Sequence, residues 1–325
     1  MQAEAVLISQ HGGPEVLELK KIKVPQPQAD QVTIQQKAIG LNFIDIYLRT
    51  GLYKHDLPHG LGFEAAGEVV AVGANVSHLT PGDRVVYGMG PAGAYTSLRT
   101  LDANYVVKIP DNLSFEQAAA LYMKGLTVQC LFRQVHALQN GQTILFHAAA
   151  GGVGLLACQW AKALGVRLIG TVSTPEKAQQ ALEHGAWKTI NYTQENVVQK
   201  VLEFTDQKKL PVVYDSVGQA TWLQSLDCLA PRGLMVSFGN ASGPVTNVNL
   251  ADLASRGSLY VTRPSMTHFV DTPQALQAAS QEVFDLFDQG KLRVTVGQRF
   301  ALRDAAQAHK ALAARKTIGA TVLLP

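Results

Sequence analysis

The first part of the chain alternates short hydrophobic runs with turn residues, a pattern that is typical of β-strands. The runs are AVLIS, VLEL, QVTIQQKAI, GEVVAVG and DRVVYG, and they lie within residues 1 to about 110. Gly-Gly-Pro, Pro-Gly-Asp and Gly-Pro-Ala-Gly stand between them, and these residue types favour turns. The spacing predicts a small β-sandwich or barrel for this part of the chain.

A different pattern begins at PDNLSFEQAAAL, where Ser114 and Gln117 form a capping box that predicts the start of a helix. Strand-like and helical runs then alternate from about residue 125 to 262. The strands are predicted at QTILFHA, VRLIGTV, KTINY, PVVYDSV, GLMVSFG and SLYVTR. Helices are predicted at VGLLACQWAKALG and PEKAQQALEHG, the latter with Pro175 at its first position and Gly185 past its end. The alternation predicts an α/β fold with a parallel, doubly wound sheet. Two helices, TPQALQAASQEVFDLFDQG and LRDAAQAHKALAAR, and a strand, TVLLP, are predicted to follow.

The stretch HAAAGGVGLLACQWAKALG, at 147–165, joins a predicted strand to a predicted helix and indicates a dinucleotide-binding turn. Gly151 and Gly152 allow the backbone to approach a pyrophosphate, and Gly154 allows the helix to pack closely on the strand. The amides at the helix N-terminus favour phosphate. Ala149 stands where the G-x-G-x-x-G pattern has its first glycine, which serves only to tighten the turn. The alternative, a helix of small residues packed in a core, is disfavoured by the strand–turn–helix context.

The end of the next predicted strand indicates which cofactor binds. An NAD site usually has an acidic residue there for the ribose 2′-hydroxyl, and this strand ends in Gly-Thr-Val-Ser-Thr without one. Ser173, Thr174 and Lys177 offer donors for a 2′-phosphate, so NADPH is the predicted cofactor. The alternatives are that Lys177 is a solvated helix residue and that Glu176 is a surface carboxylate.

Length, composition and charge narrow the class of protein. A chain of 325 residues exceeds what one core usually serves, so two domains are expected. Hydrophobic residues make up 47% and charged residues 16%, as in ordinary globular proteins. The net charge of +3 is scattered without a basic stripe, which argues against nucleic-acid binding. The three cysteines form no C-x-x-C motif, so no zinc ribbon or disulfide framework is expected. No signal-peptide pattern or membrane-spanning run occurs, and a cytoplasmic protein is expected.

The glycine turn is part of a longer set of motifs that extends along the whole chain. Around the turn the set comprises Gly141-Gln142, Leu145, Ala149-Ala150-Gly151-Gly152, Gly154, Gln159 and Lys162. Elsewhere it comprises HGGPEVLEL, AIGLNFIDIYLRTGLY, PAGAYTS, KGLTVQCL, VVYDSVG, GLMVSFGNASG and SLYVTRPS. With these motifs the chain resembles the quinone oxidoreductase branch of the medium-chain dehydrogenase/reductase superfamily, the ζ-crystallin-like proteins. The resemblance covers residues 5 to 325 and is close to bacterial NADPH:quinone reductases.

The resemblance implies a β-rich, GroES-like catalytic domain and a Rossmann domain that binds NADPH. The expected division is 1–124 for the first part of the catalytic domain, 125–264 for the Rossmann domain and 265–325 for the return to the catalytic domain. The resemblance also implies a homodimer.

Together with the glycine turn, the resemblance implies which residues contact the cofactor. Those expected near the nicotinamide are Asn42, Phe43, Ile44, Asp45 and Ile46, and those at the pyrophosphate are Gly151, Gly152, Val153 and Gly154. Those expected at the adenosine phosphate end are Ser173, Thr174, Lys177 and Tyr192. The set is completed by Val217, Asn240, Ala241, Ser242, Gly243, Ser265, Met266, Thr267 and Arg315. Cys130 and Phe63 depart from the family pattern, so position 130 is not expected to contribute the ring or hydroxyl of a tyrosine.

No metal site is expected, because the positions that resemble zinc ligands in related alcohol dehydrogenases carry Asn42 and Phe63. The four-cysteine lobe for structural zinc is missing as well. His55 and His59 are four residues apart, but Pro58 lies between them and no third ligand is apparent. Without a metal to polarise an alcohol, the expected reaction is the transfer of hydride or electrons from NADPH to a small quinone.

The quinone pocket is hypothesised to be lined by Asn42, Asp45, Tyr47 and Tyr53, with Tyr53 or water as the proton donor. The alternative for the two tyrosines is a packing role. For the protein as a whole, three other functions stay open. They are reduction of an alkenal or enone with NADPH, a role as an NADPH-binding sensor or RNA-binding protein, and a crystallin-like structural role.

Overall fold

The computed structural model describes residues 1–315 and 317–325. The chain forms two compact units. Unit 1 comprises Met1–Leu126, Val270–Asp285 and Val294–Pro325, and unit 2 comprises Thr127–Phe269 and Leu286–Arg293. The predicted α/β fold with a parallel, doubly wound sheet and a separate β-rich part is confirmed.

The strands lie in both units. In unit 1 they are β1 (Gln2–Ile8), β2 (Glu18–Lys23), β3 (Gln31–Leu41), β4 (His59–Gly60), β5 (Glu64–Val72), β6 (Arg84–Tyr87), β7 (Leu98–Asp102) and β8 (Val107–Lys108). In unit 2 they are β9 (Thr143–Phe146), β10 (Arg167–Val172), β11 (Lys188–Asn191), β12 (Leu210–Asp215), β13 (Leu229–Ser237) and β14 (Tyr260–Thr262). Unit 1 is completed by β15 (Val296–Ala301) and β16 (Ala320–Leu324).

The α-helices connect these strands. They are α1 (Phe43–Thr50), α2 (Phe115–Gln129), α3 (Gly152–Ala163), α4 (Pro175–Glu183), α5 (Val197–Phe204), α6 (Trp222–Asp227), α7 (Ala251–Ser255), α8 (Pro273–Asp288) and α9 (Ala305–Ala313). A π-helical segment, Cys130–Val135, follows α2 directly. No helix in the described part of the chain has both the length and the hydropathy needed to cross a membrane.

Unit 1 contains a seven-stranded sheet in the order β15-β16-β3-β5-β6-β8, with β7 paired to β3, and a three-stranded sheet in the order β2-β1-β4. The predicted strand VLEL starts late, because Pro14–Val16 form a short 3-10 turn in which proline holds the first φ angle. Ile34 and Ile39 of β3 are fully buried together with Leu61, Tyr87 and Tyr95. Removal of these side chains from water is the main stabilisation of the unit.

Unit 2 contains a six-stranded parallel sheet in the order β11-β10-β9-β12-β13-β14. The strand order reverses between β9 and β12, and ligands of doubly wound sheets bind outside the carboxyl ends of the strands at such a reversal. Leu145 of β9, Ile169 of β10 and Val213 of β12 are fully buried, as expected for strands covered by helices on both faces.

Two predicted helix starts are confirmed in detail. The Ser114 hydroxyl accepts from the Gln117 amide at 3.2 Å, and the Gln117 side chain accepts from the Ser114 amide at 3.1 Å. Helix α4 begins at Pro175, its Thr174 cap accepts from a main-chain amide, and Gly185 follows it with a φ of +104°. These signals are local, so the sequence alone was sufficient to predict them.

Candidate functional site

The predicted cofactor residues of unit 2 lie after the carboxyl ends of its parallel strands. Gly151–Gly154 follow β9, Ser173–Lys177 follow β10 and Tyr192 follows β11. Val217 follows β12, Asn240–Gly243 follow β13 and Ser265–Thr267 follow β14. The structure therefore brings residues that are far apart in sequence to one edge of one sheet. That edge is where a doubly wound sheet binds its ligand.

The turn after β9 has its positive φ angle at an alanine, and not at the first glycine position of the G-x-G-x-x-G pattern. Ala148, one residue before the missing glycine, has a φ of +55°, and its carbonyl accepts from the Gly151 amide at 3.0 Å. Ala149 is buried, and its amide donates to the carbonyl of Thr171 in β10 at 3.1 Å. A Cβ at Gly154 would collide with the Ala148 carbonyl oxygen and would lie 2.6 Å from the carbonyl carbon of Ala149. Gly154 thus has the packing role that the sequence predicted.

The start of α3 fits a phosphate group. Gly151 caps the helix in an extended conformation (φ −77°, ψ 171°) and offers no side chain to the first amides. Gly152 and Val153 are half-buried in the first turn. The first amides of a helix lack partners within the helix and lie at its positive end, so an anion is stabilised there.

The end of β10 carries hydroxyl and ammonium groups without a carboxylate at the strand tip. The Thr174 hydroxyl accepts from the Lys177 amide at 3.3 Å and so holds that residue in the first turn of α4. Glu176 is exposed, and a hydrogen bond from the Thr174 side chain lowers the pKa of its carboxyl. Tyr192, after the neighbouring strand, is 44% exposed, and its amide donates to the Val172 carbonyl at 3.1 Å. This donor set suits a phosphate better than a ribose hydroxyl.

A buried carboxylate that was not predicted from the sequence organises the loops at the strand reversal. Asp215, the last residue of β12, accepts from the amides of Val217 at 2.7 Å and Gly218 at 3.0 Å. It also accepts from the hydroxyls of Thr221 at 2.6 Å and Ser225 at 2.7 Å. The available signal was an acidic residue directly after the buried run PVVY.

The same network reaches the glycine turn through His147, which follows β9. Its Nε2 lies 2.9 Å from the Ser225 hydroxyl and its Nδ1 lies 3.0 Å from the Thr171 hydroxyl. Burial lowers the pKa of His147, so the neutral ring links β9 to β10 through Thr171 and to Asp215 of β12 through Ser225. The ends of β9, β10 and β12 are therefore held together beneath the predicted cofactor residues.

The other loops of this edge are tied to one another. The Ser242 hydroxyl donates to the Val217 carbonyl at 2.8 Å and accepts from the Ala220 amide at 3.0 Å. The hydroxyls of Ser265 and Thr267 are 2.8 Å apart on either side of the half-buried Met266. Arg315 belongs to unit 1, where it is exposed after α9 with a φ of +56°.

Asn42, the residue before α1 in unit 1, is hydrogen-bonded to two carboxylates. The Asn42 amide donates to Asp45 Oδ2 at 2.9 Å, and the Asn42 side-chain nitrogen donates to Glu64 Oε2 at 2.9 Å. Glu64 also accepts from Lys124 Nζ at 3.0 Å and from the Met123 amide at 2.6 Å. Glu64 is fully buried and Lys124 is 5% exposed. This ion pair was not predicted from the sequence.

A glycine makes the Glu64 arrangement sterically feasible. Gly40 of β3 is the register partner of Glu64 in β5, and a Cβ at Gly40 would collide with Glu64 Oε2 and with the Ala119 carbonyl. The carboxylate therefore lies over a position that tolerates only glycine. Phe43 and Ile44, which follow Asn42, are half-buried, and Ile46 is buried.

The two tyrosines of the hypothesised quinone pocket are in contact. The rings of Tyr47 and Tyr53 are 5.4 Å apart in an edge-on arrangement, and the Tyr53 amide donates to the Tyr47 carbonyl at 3.1 Å. Tyr47 is 8% exposed, and the half-buried Tyr53 packs against the core of unit 1. The structure thus brings the two tyrosines together, and both side chains pack within unit 1.

Asp45 is the start of a second buried chain of hydrogen bonds. Its Oδ2 accepts from the Tyr95 hydroxyl at 2.9 Å, and that hydroxyl lies 3.0 Å from His309 Nε2. His309 Nδ1 in turn lies 3.1 Å from Arg49 Nη1. Burial raises the pKa of Asp45 to about 7 and lowers the pKa of His309 to about 3. Tyr95 and His309 were not predicted, because each is distant from Asp45 in sequence.

Candidate metal ligands are not assembled in the described part of the chain, where no group of three or more His, Cys, Asp or Glu side chains could hold a metal ion. The rings of His55 and His59 are 4.8 Å apart, and His59 Nδ1 lies 2.9 Å from the Gly60 carbonyl oxygen. Cys130, Cys158 and Cys228 are buried free thiols.

The glycine turn at the carboxyl edge of a doubly wound sheet, together with a separate β-rich unit, defines a protein of the dinucleotide-binding dehydrogenase class. Two family descriptions match the chain, namely an alcohol dehydrogenase GroES-like domain over residues 28–111 and a zinc-binding dehydrogenase over residues 152–281.

Comparison with individual proteins narrows the class. A quinone oxidoreductase of Pseudomonas aeruginosa is 59% identical over 99% of this chain and 100% of its own length. The structure of the Escherichia coli quinone oxidoreductase complexed with NADPH has a TM-score of 0.98 at 51% identity, covering 99% of this chain and 100% of that chain. A 2-haloacrylate reductase of a Burkholderia species is 41% identical over 99% of this chain and 98% of its own length. The chain belongs to the quinone oxidoreductase family of the medium-chain dehydrogenase/reductase superfamily.

Proposed function

We propose that this chain is an NADPH-dependent quinone reductase, which transfers hydride or electrons from NADPH to small quinones. The observation that carries the proposal is the full-length similarity to quinone oxidoreductases, one of them described as a complex with NADPH. It is supported by the helix start at Gly152, which fits a pyrophosphate, and by the absence of an acid at the tip of β10.

The nucleotide is assigned to the carboxyl edge of the sheet in unit 2. The amides of Gly152 and Val153 hold the pyrophosphate in this proposal, and Ser173, Thr174 and Lys177 hold the 2′-phosphate. Tyr192 and the loops after β12, β13 and β14 complete the assignment, as does Arg315 of unit 1. The support is the common position of the unit 2 residues at one sheet edge and the donor character of their side chains.

The quinone is assigned to the residues around the start of α1 in unit 1. Asn42, Tyr47 and Tyr53 are the proposed lining residues, and the partial exposure of Asn42 and Tyr53 supports this. Asp45 has no exposed surface in the structure, so its proposed role is to hold the main chain of Asn42 from beneath. The division into a catalytic domain (1–124 and 265–325) and an NADPH-binding domain (125–264) is part of the proposal.

Reduction of a quinone to a hydroquinone consumes one hydride and one proton. NADPH supplies the hydride when bound, and the protein's residues orient the quinone ring and exclude water. The Tyr53 hydroxyl or a water molecule donates the proton to the reduced quinone oxygen, and the donor then recovers a proton from solvent. Such a reaction needs no group on the protein to accept electrons.

Anaerobic oxidation of NADPH, followed by absorbance, tests the function directly. A panel of small quinones is compared with enones and 2-haloacrylates, because the similarity to a 2-haloacrylate reductase favours reduction of activated C=C bonds as the second candidate. Faster oxidation with quinones, and with NADPH rather than NADH, is the expected result. Turnover with alkenes alone would show that the substrate is an activated alkene and not a quinone. Tight NADPH binding without turnover of any acceptor would indicate a sensor.

Removal of the Tyr53 hydroxyl should lower the turnover number with quinones if that hydroxyl is the proton donor. A positioned proton donor contributes roughly 100-fold or more, so Tyr53→Phe is expected to lose about that factor. Tyr105→Phe is the matched control, since Tyr105 is also half-buried against the core of unit 1. Full turnover in both Tyr53→Phe and Asn42→Ala would contradict the assignment of the quinone pocket.

A homodimer and a cytoplasmic location are further parts of the proposal. Within the described part of the chain, no strand pairs with the outer edge of β14, and its Tyr260 and Val261 are 61% and 39% exposed. An unpaired strand edge with exposed apolar side chains favours pairing with another strand.

A further inference from the structure

The hydrogen-bond chain behind Asp45 has only one possible direction. A guanidinium group donates and never accepts, so Arg49 Nη1 donates to His309 Nδ1 across 3.1 Å. His309 is neutral, because burial lowers its pKa to about 3, and its hydrogen therefore lies on Nε2. That nitrogen donates to the Tyr95 oxygen, and the Tyr95 hydroxyl donates to Asp45 Oδ2. Each donor in the chain points toward the carboxyl of Asp45.

The two oxygens of Asp45 consequently differ. Oδ2 accepts from Tyr95 and from the Asn42 amide, whereas Oδ1 is buried and has no hydrogen-bond partner among the residues that the structure describes. A buried carboxylate with an unpartnered oxygen is costly, and protonation of Oδ1 removes the charge without disturbing either bond to Oδ2. Glu64 and Lys124 are the other charged groups that act on Asp45, and they act in opposite directions.

The carboxyl is coupled to the start of α1. The Asn42 amide donates to Oδ2, and the strength of this bond depends on whether Asp45 is ionised, since bonds to a charged acceptor are about twice as strong as neutral ones. The Asn42 side chain is held independently by Glu64. A change of protonation at Asp45 therefore alters how firmly the main chain of Asn42 is held while its side-chain anchor remains.

We propose that Tyr95 and His309 are positioning residues, which hold the Asp45 carboxyl and thereby make the placement of Asn42, and the rate of quinone reduction, depend on pH near neutrality. This inference rests on the proposed function, because Asn42 is assigned to the quinone there. Tyr95 and His309 act only through Asp45 and are not assigned any contact with the quinone or the cofactor.

The turnover number of Tyr95→Phe, measured with saturating NADPH between pH 5.5 and 9, tests the proposal. The unsubstituted protein should show an inflection near pH 7. Loss of the hydroxyl removes a hydrogen bond that stabilises the carboxylate, so the inflection should move upward by about one pH unit. Tyr122→Phe is the matched control, because Tyr122 is equally buried in unit 1 and its hydroxyl bonds to Ser280.

Variants at His309 separate positioning from simple packing. Glutamine offers a neighbouring acceptor and donor, as neutral imidazole does, so it can accept from Arg49 and donate to Tyr95. His309→Gln should keep the inflection of the unsubstituted protein, and His309→Leu should shift it as Tyr95→Phe does. The same pH profile in Tyr95→Phe, His309→Leu and Tyr122→Phe as in the unsubstituted protein would overturn the proposal.

A second measurement needs no substrate. The pKa of Asp45 is raised from its ordinary value near 4 to about 7, so the folded protein keeps a proton that the unfolded chain releases. Stability is therefore lost as pH rises from about 4 through 7, and the unfolding temperature of the unsubstituted protein should fall relative to Asp45→Asn over that range. A constant difference would show that Asp45 is not held protonated and would overturn the inference. Absence of turnover with every acceptor would instead overturn the proposed function, and with it the effect on rate. The comparison of unfolding temperatures would still show whether Asp45 is held protonated.

Discussion

Replacement of Lys124 with methionine is expected to lower the free energy of unfolding by about 3–5 kcal/mol. Lys124 is 5% exposed, and its Nζ lies 3.0 Å from Oε2 of the fully buried Glu64. Methionine fills much of the same volume but leaves the Glu64 carboxylate buried without a cation. The donors that remain to Glu64, from Asn42 and Met123, do not neutralise its charge.

Urea-induced unfolding of Lys124→Met measures this loss, and two further variants identify its cause. The double variant Glu64→Gln with Lys124→Met should recover most of the stability, because it removes the charge along with its partner. Lys108→Met is the control, since Lys108 forms a 2.8 Å ion pair with Asp83 at the surface, where the lysine side chain is 53% exposed. Such a surface pair contributes about 0–1 kcal/mol. A similar loss in Lys108→Met and Lys124→Met would show that burial of the pair is unimportant.

Replacement of Lys177 with alanine is expected to raise the Michaelis constant for NADPH by roughly 10- to 100-fold, the value of a hydrogen bond between charged groups. The constant for NADH should change by less than about threefold, since NADH lacks the 2′-phosphate that the lysine is proposed to contact. Steady-state kinetics with both nucleotides, at saturating quinone, measure the two effects.

The control for this second prediction removes a lysine from the opposite edge of the same sheet. Lys208 is exposed in the loop that precedes β12, and Lys208→Ala makes the same change of net charge as Lys177→Ala. It should leave both constants within about twofold, because exposed charges separated by more than a Debye length are largely screened. Equal effects of Lys177→Ala on NADPH and NADH would contradict a 2′-phosphate role.

The sequence by itself determined those parts of the structure that depend on neighbouring residues. Ser114 with Gln117 predicted a helix start that the structure confirms with both hydrogen bonds. Pro175 and Gly185 predicted the limits of α4, and Gly154 predicted the close packing of α3 on its strand. Caps, turns and periodic patterns are set within a few residues, so they can be recognised without a tertiary structure.

The choice of fold class was also available from the sequence, because alternating strands and helices leave few topologies that obey the rules of connection. The departure at Ala149 shows the limit of motif matching. The positive φ of the turn lies at Ala148, one residue earlier than the missing glycine.

Only the tertiary structure decided which polar side chains meet inside unit 1. Glu64 reaches Asn42 and Lys124 across 22 and 60 residues, because the register of β3 with β5 places Gly40 opposite Glu64. Tyr95 meets His309 across 214 residues. Such pairs depend on strand register and on the packing of α9, and local sequence patterns specify neither. A shift of one residue in the pairing of β3 with β5 would separate Glu64 from its partners. For that physical reason the buried network could not be predicted from the sequence.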